Sequence, residues 1–176
     1  MQRTAKMIAK STSKNDIIML ASGCRRCGHC CRFRGCYLLP SEIRRLSGKF
    51  WLSEKKFIEK YCDEVERFNK KVLRFKSKKI QGKPYGPCIF LKNNECRIHK
   101  VKPLYCRIGN CNEYGFELSQ WYVLNHFVNA NDPESIRQWS IYLKSNKNRT
   151  IPGGKLSELV PDKNRLRKIL NFEILR

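Results

Sequence analysis

The chain has 176 residues, 41% of them hydrophobic, and 37 Lys and Arg stand against 15 Asp and Glu for a formal net charge of +22. That length suits one domain, or one domain with an extension, around a core of modest size. The charge far exceeds the magnitude of roughly 2–8 that solubility asks of a small domain, and it predicts a polyanion partner: RNA, DNA or an acidic membrane surface.

No apolar run reaches the ~18–20 residues of a membrane-spanning helix. The stretch Ile17-Ile18-Met19-Leu20-Ala21 is short and has Asp16 at its edge, so a secretory signal is not expected. The protein is expected to be cytoplasmic, where thiols stay reduced. Ten cysteines in such a compartment point to metal and not to a disulfide framework.

In chain order, residues 1–23 read as a basic extension, flexible or paired as a strand. Residues 24–36 are a cysteine loop. Pro40-Ser41-Glu42 opens a helix that ends near Gly48, and Ser53 caps a longer one. Phe57, Ile58, Tyr61, Cys62 and Val65 form the apolar stripe of that second helix. Val72–Lys76 reads as a short strand, and Asn93-Asn94 as the turn of a hairpin, because Asn tolerates positive φ. Trp121, Leu124, Phe127 and Val128 follow helical spacing. Asp132-Pro133-Glu134 starts another helix, and Pro161-Asp162 opens a last one with Leu166, Ile169, Leu170 and Ile174 on its apolar face. The expected fold is α+β: a small cysteine-rich, metal-stapled domain with a β-hairpin and helices over residues 24–113, then a helical region, 114–176, packed on it.

Thiolates bind Zn²⁺ tetrahedrally or hold iron–sulfur clusters, and a Cys-x-x-Cys step brings two sulfurs to one centre from one turn. Cys24, Cys27 and Cys30 make two such steps in series, with Cys31 adjacent. Cys88, Cys96 and Cys106 form a second group, and Cys36 and Cys111 are further candidate ligands. The adjacent Cys30-Cys31 pair argues for more than one metal, or for one ligand and one packed neighbour. Cys62 sits on an apolar stripe and reads as core. His29 and His99 lie near the cysteines and could ligate. His126 reads as a core or surface histidine. The serial spacing favours an iron–sulfur cluster, of the 4Fe–4S type, over zinc, although soft thiolates suit either.

The run Cys24-x-x-Cys27-Gly28-x-Cys30-Cys31, then Cys88-Ile-Phe-Leu, then Cys96-Arg-Ile-His-x-x-Lys-Pro103-x-x-Cys106-Arg107 resembles the YkgJ-type cysteine-cluster family, a zinc- or iron-chelating domain related to flagellin lysine N-methylase. The resemblance covers roughly residues 24–111 and implies a metal or iron–sulfur centre held by about eight cysteines. This chain has Ile98-His99 and Lys102-Pro103 where the family usually has Ile-Tyr and Arg-Pro. No glycine-rich nucleotide loop after a strand accompanies the motif, so methyl transfer does not carry over.

Three functions compete. The first is a metal-stapled protein that binds RNA, ribosomal RNA included, through Arg25, Arg26, Arg32, Arg34, Lys76, Lys78, Lys79, Arg165, Arg167 and Lys168, with Phe33 and Tyr37 placed to stack on bases. The second is an iron–sulfur-dependent redox or protein-modifying enzyme. Glu113, Glu117 and His126 are its only acid–base candidates, and the sequence leans against catalysis. The third is a metal carrier, which needs exposed thiolates.

Overall fold

The computed structural model describes residues 7–33, 35–83, 85–109 and 113–173. These form helices and two small antiparallel sheets, the expected α+β class. The chain divides into two compact units. One takes Leu20–Glu66 and Lys71–Gly115; the other takes Met1–Met19, Arg67–Lys70 and Phe116–Arg176.

The first unit carries the cysteines. A short helix, α2 (His29–Phe33), leads to strand β1 (Tyr37–Leu38), then to α3 (Pro40–Lys49) and α4 (Glu54–Tyr61). Pro40 stands in the first turn of α3, and Glu42 reaches back to accept from the Leu39 N–H at 2.9 Å. The Ser53 hydroxyl accepts from the Lys56 N–H at 3.3 Å and starts α4, satisfying a donor that the helix itself leaves open.

The second of these helices stops earlier than its apolar period suggested. It ends at Tyr61, and Cys62 and Val65 lie instead on β2 (Cys62–Arg67), which neighbours β3 (Lys70–Phe75) in a sheet ordered β1-β3-β2. The turn between them places Phe68 and Asn69 at φ 53° and 59°. Two left-handed residues in succession match the twist of a hairpin, so strand pairing overrides the helical spacing. Cys62 is buried all the same, 6% exposed.

The expected hairpin at Asn93-Asn94 is present, with both residues at positive φ between β4 (Leu91–Lys92) and β5 (Glu95–Cys96). A 3-10 turn at His99–Val101 precedes α5 (Leu104–Ile108). An aromatic core underlies all of this. Phe90 meets Phe75 edge-on at 4.8 Å, Tyr61 at 5.1 Å and Phe50 at 5.6 Å, and Phe57 joins through Phe50 at 5.8 Å. Such ring pairs add about 0.5–1.5 kcal/mol each beyond the area they bury.

The second unit is helical: α1 (Lys14–Leu20) for most of its length, α6 (Gly115–His126), α7 (Pro133–Ser145), α8 (Leu156–Leu159) and α9 (Lys163–Leu170). The N-terminal segment is thus helical from Lys14. It is tied down where the Trp121 indole donates to the Thr12 carbonyl (2.9 Å) and the Lys10 N–H to the Pro152 carbonyl (2.8 Å). Asp132 caps α7 and Asp162 caps α9, as their sequences predict. Ile136, Trp139 and Ile169 are fully buried. The buried Gln120 amide donates to the Arg149 carbonyl and accepts from the Ile151 N–H, both at 2.9 Å, so it carries no desolvation penalty. Ile174 lies outside the described residues.

Candidate metal centre

Three local structures aim the cysteines at one place. The first is the loop Cys24–Cys31. Its Gly28 has φ +70°, and a Cβ there would lie 2.9 Å from the Asn94 carbonyl oxygen and 3.3 Å from Leu91 Cδ1. Only glycine fits a left-handed turn pressed so closely on the β4–β5 hairpin. The Arg32 guanidinium fastens the same contact by donating to the Asn94 side chain.

The second is the end of β3. The Phe75 N–H donates to the Cys36 carbonyl at 2.9 Å, and Ser77 pairs with Cys88 in an isolated antiparallel bridge. The Cys88 N–H then donates to the Cys31 carbonyl at 2.7 Å. β3 and the two residues that follow it therefore position Cys36, Cys88 and, through Cys88, Cys31.

The third is the start of α5. Glu42, 8% exposed, turns its second oxygen to the Leu104 N–H at 2.6 Å. The carboxylate that caps α3 thus also caps the helix carrying Cys106. The sequence signals the first of these bonds, because an acidic residue in the first turn of a helix is a capping pattern. Nothing local signals the second, which spans 62 positions.

The result is a cavity of about 170 Å³ lined by Cys24, Cys27, Cys30, Cys31, Cys36, Cys88, Cys96 and Cys106, eight of the ten cysteines. Cys62 does not line it, and Cys111 lies outside the described residues. Cys24 and Cys27 are exposed, Cys36 is buried, and the others are half-buried. Among the described residues no three His, Cys, Asp or Glu side chains are grouped closely enough to hold a single ion. The thiols stand around the walls of the cavity instead of meeting at a point.

Their protonation follows from crowding. A hydrogen bond with Cys30, then burial, pushes the Cys31 thiol far above its usual range. Burial, then a hydrogen bond with Cys106, does the same to Cys36. Burial lifts Cys88 to about 12 despite opposing help from the Phe90 backbone and Lys78, and it raises Cys96. Adjacent thiolates cannot coexist uncompensated in a low dielectric. A bound cation would let them do so, and soft sulfur is the donor that zinc and iron take. His99 also lines the cavity. Its Nε2 is buried and has no hydrogen-bond partner among the described residues. Burial, then Lys102 and Arg26, holds the imidazole below the usual histidine range. The residues therefore fit a thiolate-bound metal with one imidazole beside it.

The proposed polyanion contacts divide. Arg32 bonds Asn94; Lys78 donates to the Leu91 carbonyl (2.8 Å), Lys76 to the Glu59 carbonyl (2.5 Å) and Arg165 to the Ala130 and Asn131 carbonyls; Arg167 pairs with Glu173 at 3.6 Å. Arg25, Arg26 and Lys79 are exposed, and neither they nor Lys168, half-buried, make a side-chain hydrogen bond or ion pair among the described residues. Arg34 lies outside the described residues. Tyr37 is half-buried with its ring edge-on to Tyr105 at 5.0 Å. Of the acid–base candidates, Glu117 is paired with Arg149, and neither Glu113, Glu117 nor His126 lines the cavity. Among the described residues no helix is long and apolar enough to cross a membrane.

Comparison with known proteins agrees with this donor set. The family described as "CxxCxxCC: Putative zinc- or iron-chelating domain" matches residues 23–129, more than half of the chain. An uncharacterized protein of Methanocaldococcus jannaschii is 28% identical over 110 residues, which cover 60% of this chain and 54% of that protein. The chain thus spans about half the length of the curated relative it matches. No solved structure matches.

Proposed function

The chain belongs to the CxxCxxCC family of zinc- or iron-chelating domains, and on that premise we propose that its thiol cavity holds an iron–sulfur centre that orders a basic, RNA-binding surface. The observation that carries the metal reading is the gathering of eight cysteines on one cavity. Two features favour a polynuclear cluster over a single zinc: the serial Cys24, Cys27, Cys30 spacing, and eight thiols, twice what one tetrahedral ion takes, lining one cavity. Metal binding of this kind contributes folding free energy directly. The RNA reading rests on the net charge of +22 and on the exposed Arg25, Arg26 and Lys79; ribosomal RNA is one such target.

Anaerobic purification with an absorption spectrum and metal analysis tests the centre. A broad brown band near roughly 400 nm, from sulfur-to-iron charge transfer, with iron and acid-labile sulfide in comparable amounts, is expected. A colourless protein with stoichiometric zinc overturns the cluster, and a protein that takes up neither metal overturns chelation. The exposure of Cys24 and Cys27 favours a second reading, a metal carrier, since reachable thiolates exchange readily. Transfer of the metal to a competing chelator within minutes supports the carrier. Retention over hours supports a resident centre.

A further inference from the structure

Phe33 and Tyr85 are large rings left in solvent, 58% and 47% exposed, yet they are ordered against each other with centroids 5.8 Å apart. His29 extends the group, its ring 5.3 Å from Phe33. Lys83 places its ammonium 5.9 Å from the Tyr85 centroid, and Ile80 is a further exposed apolar side chain, at 41%. Scattered exposed apolar residues need no explanation, but a contiguous group of them does.

The backbone holds this group in place. Phe33 follows Cys31 by two residues on α2, and Tyr85 precedes Cys88 by three; the Cys88 N–H to Cys31 carbonyl bond clamps the two segments together. Gly86 is pressed against the Lys78 carbonyl so closely that no side chain fits there, and the Lys78 N–H donates to the Pro87 carbonyl at 2.8 Å. The Tyr85 loop is therefore fixed to the same framework as the cysteines.

We propose that Phe33 and Tyr85 form a stacking platform for the unpaired bases of single-stranded RNA, with Arg25, Arg26, Lys79 and Lys83 attracting its phosphates. The proposal rests on the RNA-binding reading above and names the surface responsible. Geometry and charge together select this partner. The two ring planes are tilted by 59°, unlike the 14° of the stacked pair Trp139 and Tyr142, so neither ring covers the other's face and a base can lie on each. Aromatic rings with an ammonium beside them, here Lys83 at Tyr85, on a chain of net charge +22, have the composition of a single-strand groove. A duplex keeps its bases stacked on one another and offers these rings nothing. A lipid surface requires a longer apolar face, and α2 has only five residues, two of them cysteines.

The test is fluorescence anisotropy of the metal-loaded protein with a labelled single-stranded RNA of roughly ten nucleotides, at low and moderate salt. Phe33→Ala and Tyr85→Ala are each expected to weaken binding roughly 5- to 150-fold, the range for losing one base–aromatic stack. Phe33→Tyr and Tyr85→Phe keep a ring and are expected to bind nearly as the parent does. Metal content is the folding control, and it is expected to stay unchanged because both rings are exposed. A parent protein that binds while both alanine variants bind equally well overturns the platform and leaves the RNA reading standing. A parent that binds no RNA at low salt overturns both. Equal, ring-dependent affinity for a duplex of the same sequence overturns base stacking. Ring-dependent binding to phosphatidylserine vesicles without ring-dependent RNA binding assigns the surface to a membrane instead.

Discussion

Glu42 offers the sharpest test of how the first unit is built. Its carboxylate accepts from Leu39 N–H at 2.9 Å and from the buried Leu104 N–H at 2.6 Å, and so joins the starts of α3 and α5. Hydrogen bonds to a charged group contribute about 1.5–3 kcal/mol each, and an orphaned buried donor costs a similar amount. Glu42→Ala removes both bonds and strands the Leu104 N–H, for an expected loss of about 3–5 kcal/mol out of the 5–15 kcal/mol typical of a domain. Glu42→Gln keeps one acceptor oxygen and turns an NH₂ toward the other donor, for about 1.5–3 kcal/mol. The exposed pair Arg44–Glu54, at 3.3 Å, supplies the contrast: Glu54→Ala removes a surface ion pair worth about 0–1 kcal/mol. The assay is pulsed labelling of Cys36 and Cys62, buried thiols of this unit, across a denaturant series of the metal-free protein. Metal retention is read in parallel, because α5 carries Cys106. A Glu42→Ala variant as stable as Glu54→Ala would refute the double cap.

Gly28→Ala forces φ +70° on a residue with a side chain, at about 1–2 kcal/mol, and drives its Cβ into the Asn94 carbonyl; metal content measured after purification is expected to fall by more than half. Cys36→Ala and Cys62→Ala each delete a buried thiol, 3% and 6% exposed, but only Cys36 lines the cavity. Metal analysis is therefore expected to show loss for Cys36→Ala and full loading for Cys62→Ala, and equal loading would sink the assignment. His126 is held below the usual histidine range by burial first, then by Lys14 and Lys70. Its folded-state pKa lies below its unfolded one, so its contribution to stability is present above about pH 6.5 and is lost as pH falls through the folded value. Fluorescence of the buried Trp121 and Trp139 in denaturant is expected to report that loss as pH falls below about 6.5, and His126→Gln is expected to flatten it.

Local chemistry made part of this molecule legible in advance. Asp132, Ser53 and Asp162 cap the helices that their sequences announce, because a cap is decided within three residues. Asn93-Asn94 is a turn for the same kind of reason, two residues that accept positive φ. The strand expected at Val72–Lys76 is present as β3, but its partner β2 and the turn between them escaped because that turn, Phe68-Asn69, contains no glycine and β2 continues a convincing helical period. Cysteine spacing marks candidate ligands but cannot say which of them share a site. That depends on the β3 framework and on Glu42, whose partners lie far away in sequence. Runs of basic residues likewise do not show that Lys78 is bonded to Leu91 while Lys79 makes no side-chain hydrogen bond among the described residues.

The charges around the cavity bear on what it was shaped to receive. Arg25, Arg26 and Lys102 line it together with Glu95, a net positive wall. Such a wall repels a bare cation, yet Cys31, Cys36, Cys88 and Cys96, raised by burial and by neighbouring groups, need a cation before they can stand together as thiolates. The two facts agree once the thiols are counted in their ligated form. A metal centre bound by four or more thiolates carries net negative charge, and guanidinium and ammonium groups then stabilise it instead of opposing it. The wall is thus matched to the loaded centre and not to the entering ion. The burial and crowding that raise Cys31, Cys36, Cys88 and Cys96 oppose metal entry, because the metal must displace their protons, so metal uptake is expected to strengthen as pH rises.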